Sequence, residues 1–161
     1  MMNALFPGSF DPPSNGHLNI IQRASKIFDR LSVVIAVNPQ KRYFFNADER
    51  RAMIEELVKP FPNVTVVLWD KLIVDYAQQV GAKVIVRGVR ALTDFEYEFE
   101  LSMVNKGLKP GIETIFMPTD PQYFVLRSSF IKELAMLDGD ISNMVPPIVA
   151  EALRRKVAES R

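Results

Sequence analysis

Leu31-Ser32-Val33-Val34-Ile35-Ala36-Val37 is a nearly unbroken apolar run dominated by β-branched residues. Branched side chains suit an extended chain, and apolar residues at both odd and even positions leave neither face for water. Such a strand belongs inside a parallel sheet covered on both sides. Shorter runs of the same character occur at Asn3–Phe6, Val64–Leu68, Val84–Val86 and Thr114–Met117.

Helical patterns separate these runs. Leu18, Ile21, Ala24 and Phe28 fall on one face, and Asn46 followed by Ala47-Asp48-Glu49 reads as an N-cap with its capping-box glutamate. That helix continues through Met53, Ile54 and Leu57. Leu72, Ile73, Tyr76, Ala77 and Val80 repeat at helical spacing and stop at Gly81, a residue suited to the left-handed turn that ends a helix. Ile131, Leu134 and Ala135 mark a later helix, and Ile148–Val157 a terminal one after Pro146-Pro147. The stretch Phe95–Leu101 alternates with period two, as a strand does. Leu92, Phe95, Phe99 and Met103 also make a helical face, and the interleaved glutamates favour helix, so it is read as one.

Five apolar strands alternating with helices predict an α/β fold, a doubly wound parallel five-stranded sheet in a single domain over residues 1–161. Ligands of such sheets bind outside the carboxyl ends of the strands, so the segments after Phe6, Val37, Leu68, Val86 and Met117 are the candidates. With 20 basic and 19 acidic residues, the net charge of +1 gives no broad surface for nucleic acid, and any anion site must be local. The chain has no cysteine, which removes disulfides and thiolate chemistry and fits a reducing cytoplasm. No run approaches the roughly 18 apolar residues of a membrane span, and the N-terminus lacks a signal-peptide pattern; a cytoplasmic location without membrane attachment is expected.

After the first strand comes Pro7-Gly8-Ser9-Phe10-Asp11-Pro12-Pro13-Ser14-Asn15-Gly16-His17, which delivers the chain's one histidine to the first turn of a helix. Unpaired N–H groups and the helix dipole make that terminus a natural anion site. A lone histidine there is as readily a capping residue as a phosphate contact. The fourth strand ends at Arg87-Gly88-Val89-Arg90; bidentate phosphate binding is the favoured reading, and ion pairs to Asp94 or Glu98 are the alternative. Lys41-Arg42 follows the second strand, and Ser128-Ser129 opens a helix after the fifth, a second anion-friendly position. Neither a dinucleotide-binding glycine fingerprint nor a P-loop is present.

Gly8, Phe10, Asp11, Pro12, Gly16 and His17 form a Gly-x-Phe-Asp-Pro-x-x-x-Gly-His pattern that resembles the nucleotidyltransferase superfamily, whose signature is Thr/His-x-Gly-His. Here it reads Ser14-Asn15-Gly16-His17, with serine keeping the hydroxyl. The block Arg87–Glu98, Arg-Gly-x-Arg-x-x-x-Asp-Phe-Glu-Tyr-Glu, resembles the phosphopantetheine adenylyltransferase family in particular, and the likeness runs from Phe6 to about Glu133. Arg127 departs from the run of serines usual in that family.

The resemblance implies a Rossmann-like fold and adenylyl transfer from ATP to 4′-phosphopantetheine, giving dephospho-coenzyme A and pyrophosphate. It assigns catalysis to His17, Lys41 and Arg90. Ser9, Phe10, His17, Gly88, Val89, Arg90 and Glu98 would contact ATP, together with Tyr123, Phe124, Val125, Leu126, Arg127, Ser128 and Ser129. Ser9, Lys41, Ile73 and Arg87 would hold the acceptor. Asp11 would order its loop, and Mg²⁺ would ride mainly on the triphosphate, with no protein ligand named. A homohexamer and feedback by coenzyme A are implied as well. The competing readings are a related transferase acting on nicotinamide mononucleotide or glycerol phosphate, a catalytically silent nucleotide sensor, and a flavodoxin-like binding domain.

Overall fold

A computed structural model describes residues 1–161. Strands β1 (Asn3–Gly8), β2 (Arg30–Ala36), β3 (Val64–Trp69), β4 (Val84–Val89) and β5 (Glu113–Pro118) form one sheet. Its order is β3-β2-β1-β4-β5 and every neighbouring pair is parallel. Helices α1 (Asn15–Ser25), α2 (Ala47–Val58), α3 (Ile73–Val80) and α4 (Leu92–Leu108) are the crossovers, followed by α5 (Ser128–Met136) and α6 (Pro147–Glu159).

The central strands carry apolar residues on both faces because both faces are covered. Phe6, Val33, Ile35 and Val86 pack against Ile20 and Ala24 of α1 and Ile54 of α2. Leu5, Val34 and Ile85 point the other way, onto Val74, Tyr76 and Ala77 of α3. A third cluster joins Ile131 of α5 and Leu153 of α6 to Phe45 and Met53, at the carboxyl end of the sheet. Asn46 and Glu49 make the expected reciprocal cap, and Gly81 adopts φ 68° as the left-handed residue that ends α3. The Phe95–Leu101 segment lies within α4, where no residue is buried.

The ends of α1, β1 and β4 differ from the sequence reading. Helix α1 stops at Ser25, so Phe28 reaches the core from the following turn. Strands β1 and β4 run on through Gly8 and Val89, so Pro7, Gly8, Arg87 and Gly88 belong to strands and not to loops.

That extension opens the cleft. The other three ladders each pair six residues, whereas β1 and β4 pair only at Ala4↔Val84 and Leu5↔Ile85. The carbonyl of Asn3 accepts from Lys83 N–H, so odd-numbered residues of β1 aim their backbone groups at β4. Where the strands part, the next such residue is Pro7, which has no N–H to leave unpaired. Its carbonyl accepts from Arg87 Nη1 at 2.9 Å, so a side chain stands in for the missing strand partner.

Candidate active site

The cleft between the diverging ends of β1 and β4 lies where the strand order reverses, the position at which open α/β sheets bind ligands. Its volume is about 380 Å³, and only three of its 18 lining residues are hydrophobic. The β1–α1 loop forms one wall, β4 with the start of α4 another, and the start of α5 the third.

On the first wall, Ser14 is the N-cap of α1 and its Oγ accepts from His17 N–H at 3.2 Å. In return His17 Nδ1 accepts the Ser14 N–H at 3.0 Å, taking the part glutamate plays in an ordinary capping box. Capping and site-lining are therefore the same arrangement in this residue. Because Nδ1 is an acceptor, the neutral ring carries its proton on Nε2. Burial, then the charges of Arg90 and Arg87, lowers the His17 pKa from 6.5 to about 4. His17 is thus neutral near pH 7, with Nε2 as its donor.

Phe10 is buried beneath it, its ring centroid 4.9 Å from that of His17 and 5.5 Å from that of Phe6. Its side chain supports His17 and does not line the cleft. Phe10 has φ 50°, an uncommon conformation for a bulky residue, and a Cβ on Gly8 would come 3.0 Å from Phe10 Cζ. Glycine at position 8 is what lets the aromatic ring lie under the histidine. Asp11 is also buried: its carboxylate accepts the N–H groups of Phe44 and Phe45, both at 2.8 Å, and lies 3.4 Å from Lys132 Nζ.

On the β4 wall both arginines have carboxylate partners. Arg87 forms a bidentate pair with Glu98, Nε–Oε2 2.5 Å and Nη2–Oε1 2.6 Å. Arg90 pairs with Asp94 at 3.0 Å and donates to the Leu126 carbonyl at 2.7 Å. The ion pairs given as the alternative to phosphate binding are thus formed, and Glu98 faces Arg87. Gly88 lets this wall close on α1, since a Cβ there would meet Ile20 Cγ1 at 3.2 Å.

Leu126, Arg127, Ser128 and Ser129 line the third wall, and Ser128 Oγ donates to the Pro12 carbonyl at 3.0 Å. Tyr123 packs with the α5–α6 cluster, while Phe124 and Val125 are exposed outside the cleft, as Val89 also lies outside it. Lys41 sits at the rim with Nζ 3.2 Å from Ser9 Oγ. Ile73, partly buried, packs against the α3 core cluster outside the residues that line this cleft.

Three participants escaped the sequence reading. Thr119 and Ile20 line the cleft without any motif to mark them. Arg50, only 1% exposed, donates to the carbonyls of Ser9 and Ala36 beneath it. It shares the buried face of α2 with Met53 and Ile54, so its helical spacing was the available signal.

A strand–loop–helix with its histidine at a helix terminus, set at the switch point of a parallel sheet, defines a nucleotidyltransferase site. The sequence pattern of the cytidylyltransferase-like family matches residues 5–134. A phosphopantetheine adenylyltransferase of Alkaliphilus metalliredigens is 46% identical over 97% of this chain and 99% of its own length. Another, from Caldanaerobacter subterraneus, is 47% identical over 99% of this chain and 100% of its own. The chain belongs to the phosphopantetheine adenylyltransferase family. The fold is shared with a Vibrio parahaemolyticus structure provisionally assigned as a nicotinate-nucleotide adenylyltransferase. Its TM-score is 0.72 at 20% identity, covering 100% of this chain and 98% of that one.

Proposed function

We propose that this protein transfers the adenylyl group of ATP to 4′-phosphopantetheine in coenzyme A biosynthesis. An acceptor phosphate oxygen attacks the α-phosphorus, a new P–O bond forms, and the bond to the bridging oxygen breaks with its electron pair leaving on pyrophosphate. The nucleophile is ionised at neutral pH and requires no general base. Catalysis then consists of aligning two polyanions and stabilising charge at the α-phosphate.

The observation that carries this reading is the neutral His17 ring, fixed by Ser14 with its Nε2 proton available, between two arginines and a helix N-terminus. His17 donates to the α-phosphate as its charge grows, a preorganised contact of the oxyanion-hole kind. Arg90 and the Leu126–Ser129 segment hold the nucleotide, while Ser9, Lys41 and Arg87 hold the acceptor phosphate. To bind phosphate, Arg87 exchanges Glu98 for another bidentate anion.

The cleft carboxylates do not suit a protein-bound metal. Asp94 and Glu98 are engaged by arginines, and no group of three or more acidic or histidine side chains gathers anywhere in the chain. Mg²⁺ is accordingly assigned to the triphosphate, whose charge it would neutralise.

The whole chain is read as one catalytic domain working in the cytoplasm, and no helix is long and apolar enough to cross a membrane. The uncovered face of α4, with Leu92, Tyr97, Met103 and Val104 all more than half exposed, supports assembly of the proposed hexamer. Coenzyme A, which contains both halves of the product, is the proposed feedback ligand of the same cleft.

The test is pyrophosphate release from ATP and Mg²⁺ with 4′-phosphopantetheine or nicotinamide mononucleotide. Release with the first acceptor, reduced about 10²–10³-fold in His17→Ala while ATP still binds, is expected. Release with nicotinamide mononucleotide alone refutes the acceptor, and ATP binding without release under either condition refutes the enzyme.

A further inference from the structure

Arg50 is enclosed in the protein, yet it makes none of the molecule's ion pairs. Burying a cation without an anion is costly, and its neighbours here are neutral. Nη1 donates to the carbonyls of Ser9 at 2.8 Å and Ala36 at 2.9 Å, and the guanidinium carbon lies 3.9 Å from the centre of the Tyr43 ring. These contacts reach the two segments that carry the Lys41–Ser9 pair. Ser9 is held directly. The exposed 38–42 turn is held through Tyr43, whose hydroxyl accepts the Asn38 N–H at 3.1 Å. Within the turn, bonds are local: Lys41 N–H to the Asn38 carbonyl, and Gln40 N–H to Asn38 Oδ1.

We infer that Arg50 is a positioning residue that keeps Lys41 Nζ against Ser9 Oγ and adds a fixed positive charge beneath them, so that the acceptor phosphate meets a preformed clamp. This rests on the reading of Lys41 and Ser9 as the acceptor side of the reaction. A structural peg alone would affect both substrates equally or neither; a clamp support acts on one.

Steady-state pyrophosphate release by Arg50→Lys decides between them. Losing one charge-assisted arrangement is worth about tenfold, so the KM for 4′-phosphopantetheine is expected to rise by about that factor while the KM for ATP changes less than about threefold. In a Lys41→Ala background, adding Arg50→Lys is expected to cause no further rise. An unchanged acceptor KM, a parallel rise for ATP, or a full further rise in the Lys41→Ala background overturns the inference. If circular dichroism shows Arg50→Lys unfolded, Tyr43→Leu takes its place: a selective acceptor effect supports the clamp and a wild-type KM rejects it. Should the wild type release no pyrophosphate, the reaction itself is wrong. Arg50 is then judged by calorimetry with inorganic phosphate, where weaker binding by the variant supports it and equal binding overturns it.

Discussion

On the α2 side of the cleft, Arg50 is enclosed and bonded to backbone carbonyls alone, whereas on the α4 side Arg87 and Arg90 are about a fifth exposed and each joins one backbone carbonyl to a carboxylate. The three side chains carry the same charge and differ in what they could give up. A carboxylate can be exchanged for a phosphate with the bidentate geometry preserved. A backbone carbonyl cannot be exchanged without moving the strand end or loop it belongs to. One region therefore fixes the shape of the site, and the other supplies cations that can change partner.

The largest separation should appear in stability. Arg50→Met leaves two backbone carbonyls without their donor in the interior and should cost about 3 kcal/mol in urea unfolding. Arg87→Met, at the cleft surface, should cost only about 1 kcal/mol. Equal losses would end the distinction between the two regions.

The single histidine offers a sharper probe. Between pH 6.5 and about 4 the unfolded chain binds a proton that folded His17 refuses. Stability should therefore fall as pH drops through that window, by at most about 1.4 kcal/mol per pH unit, and then level off. Arg87 contributes to the depression after burial and Arg90, whereas Arg50 does not. NMR titration of the ring should give a higher pKa in Arg87→Met and the wild-type value in Arg50→Met.

The smallest effect concerns Glu98. Removing its charge by Glu98→Gln should cost under about 1 kcal/mol in stability, since the pair is partly solvated. The same change should improve competition by inorganic phosphate against the acceptor, because Arg87 no longer has to surrender a carboxylate. Weaker competition would mean that Glu98 positions Arg87 for its ligand and does not compete with it.

Much of this was legible in the chain itself. The run Leu31–Val37 specified a strand covered on both faces, and Asn46 and Gly81 marked helix ends through groups that act locally. His17 was found through its loop, because spacing along a strand–loop–helix turn is a local property. Where Ile73 sits relative to the cleft could not be read from spacing, since it depends on how α3 packs across the sheet. The choice between phosphate and carboxylate for Arg87 likewise depended on α4 bringing Glu98 alongside β4, a contact between separate elements. Arg50 drew no notice in the sequence, because arginine is seldom enclosed without a partner.

The proline at position 7 gives the sheet a line along which it can part. Six residue pairs join each of the other three ladders, but only two latch β1 to β4, and beyond them a guanidinium spans the gap. Amide exchange should be fastest along this join at its open end, while the ladders beside it remain protected. The mouth can then breathe at the cost of a short latch, admitting a bulky polyanion without melting the hydrophobic layers on either side.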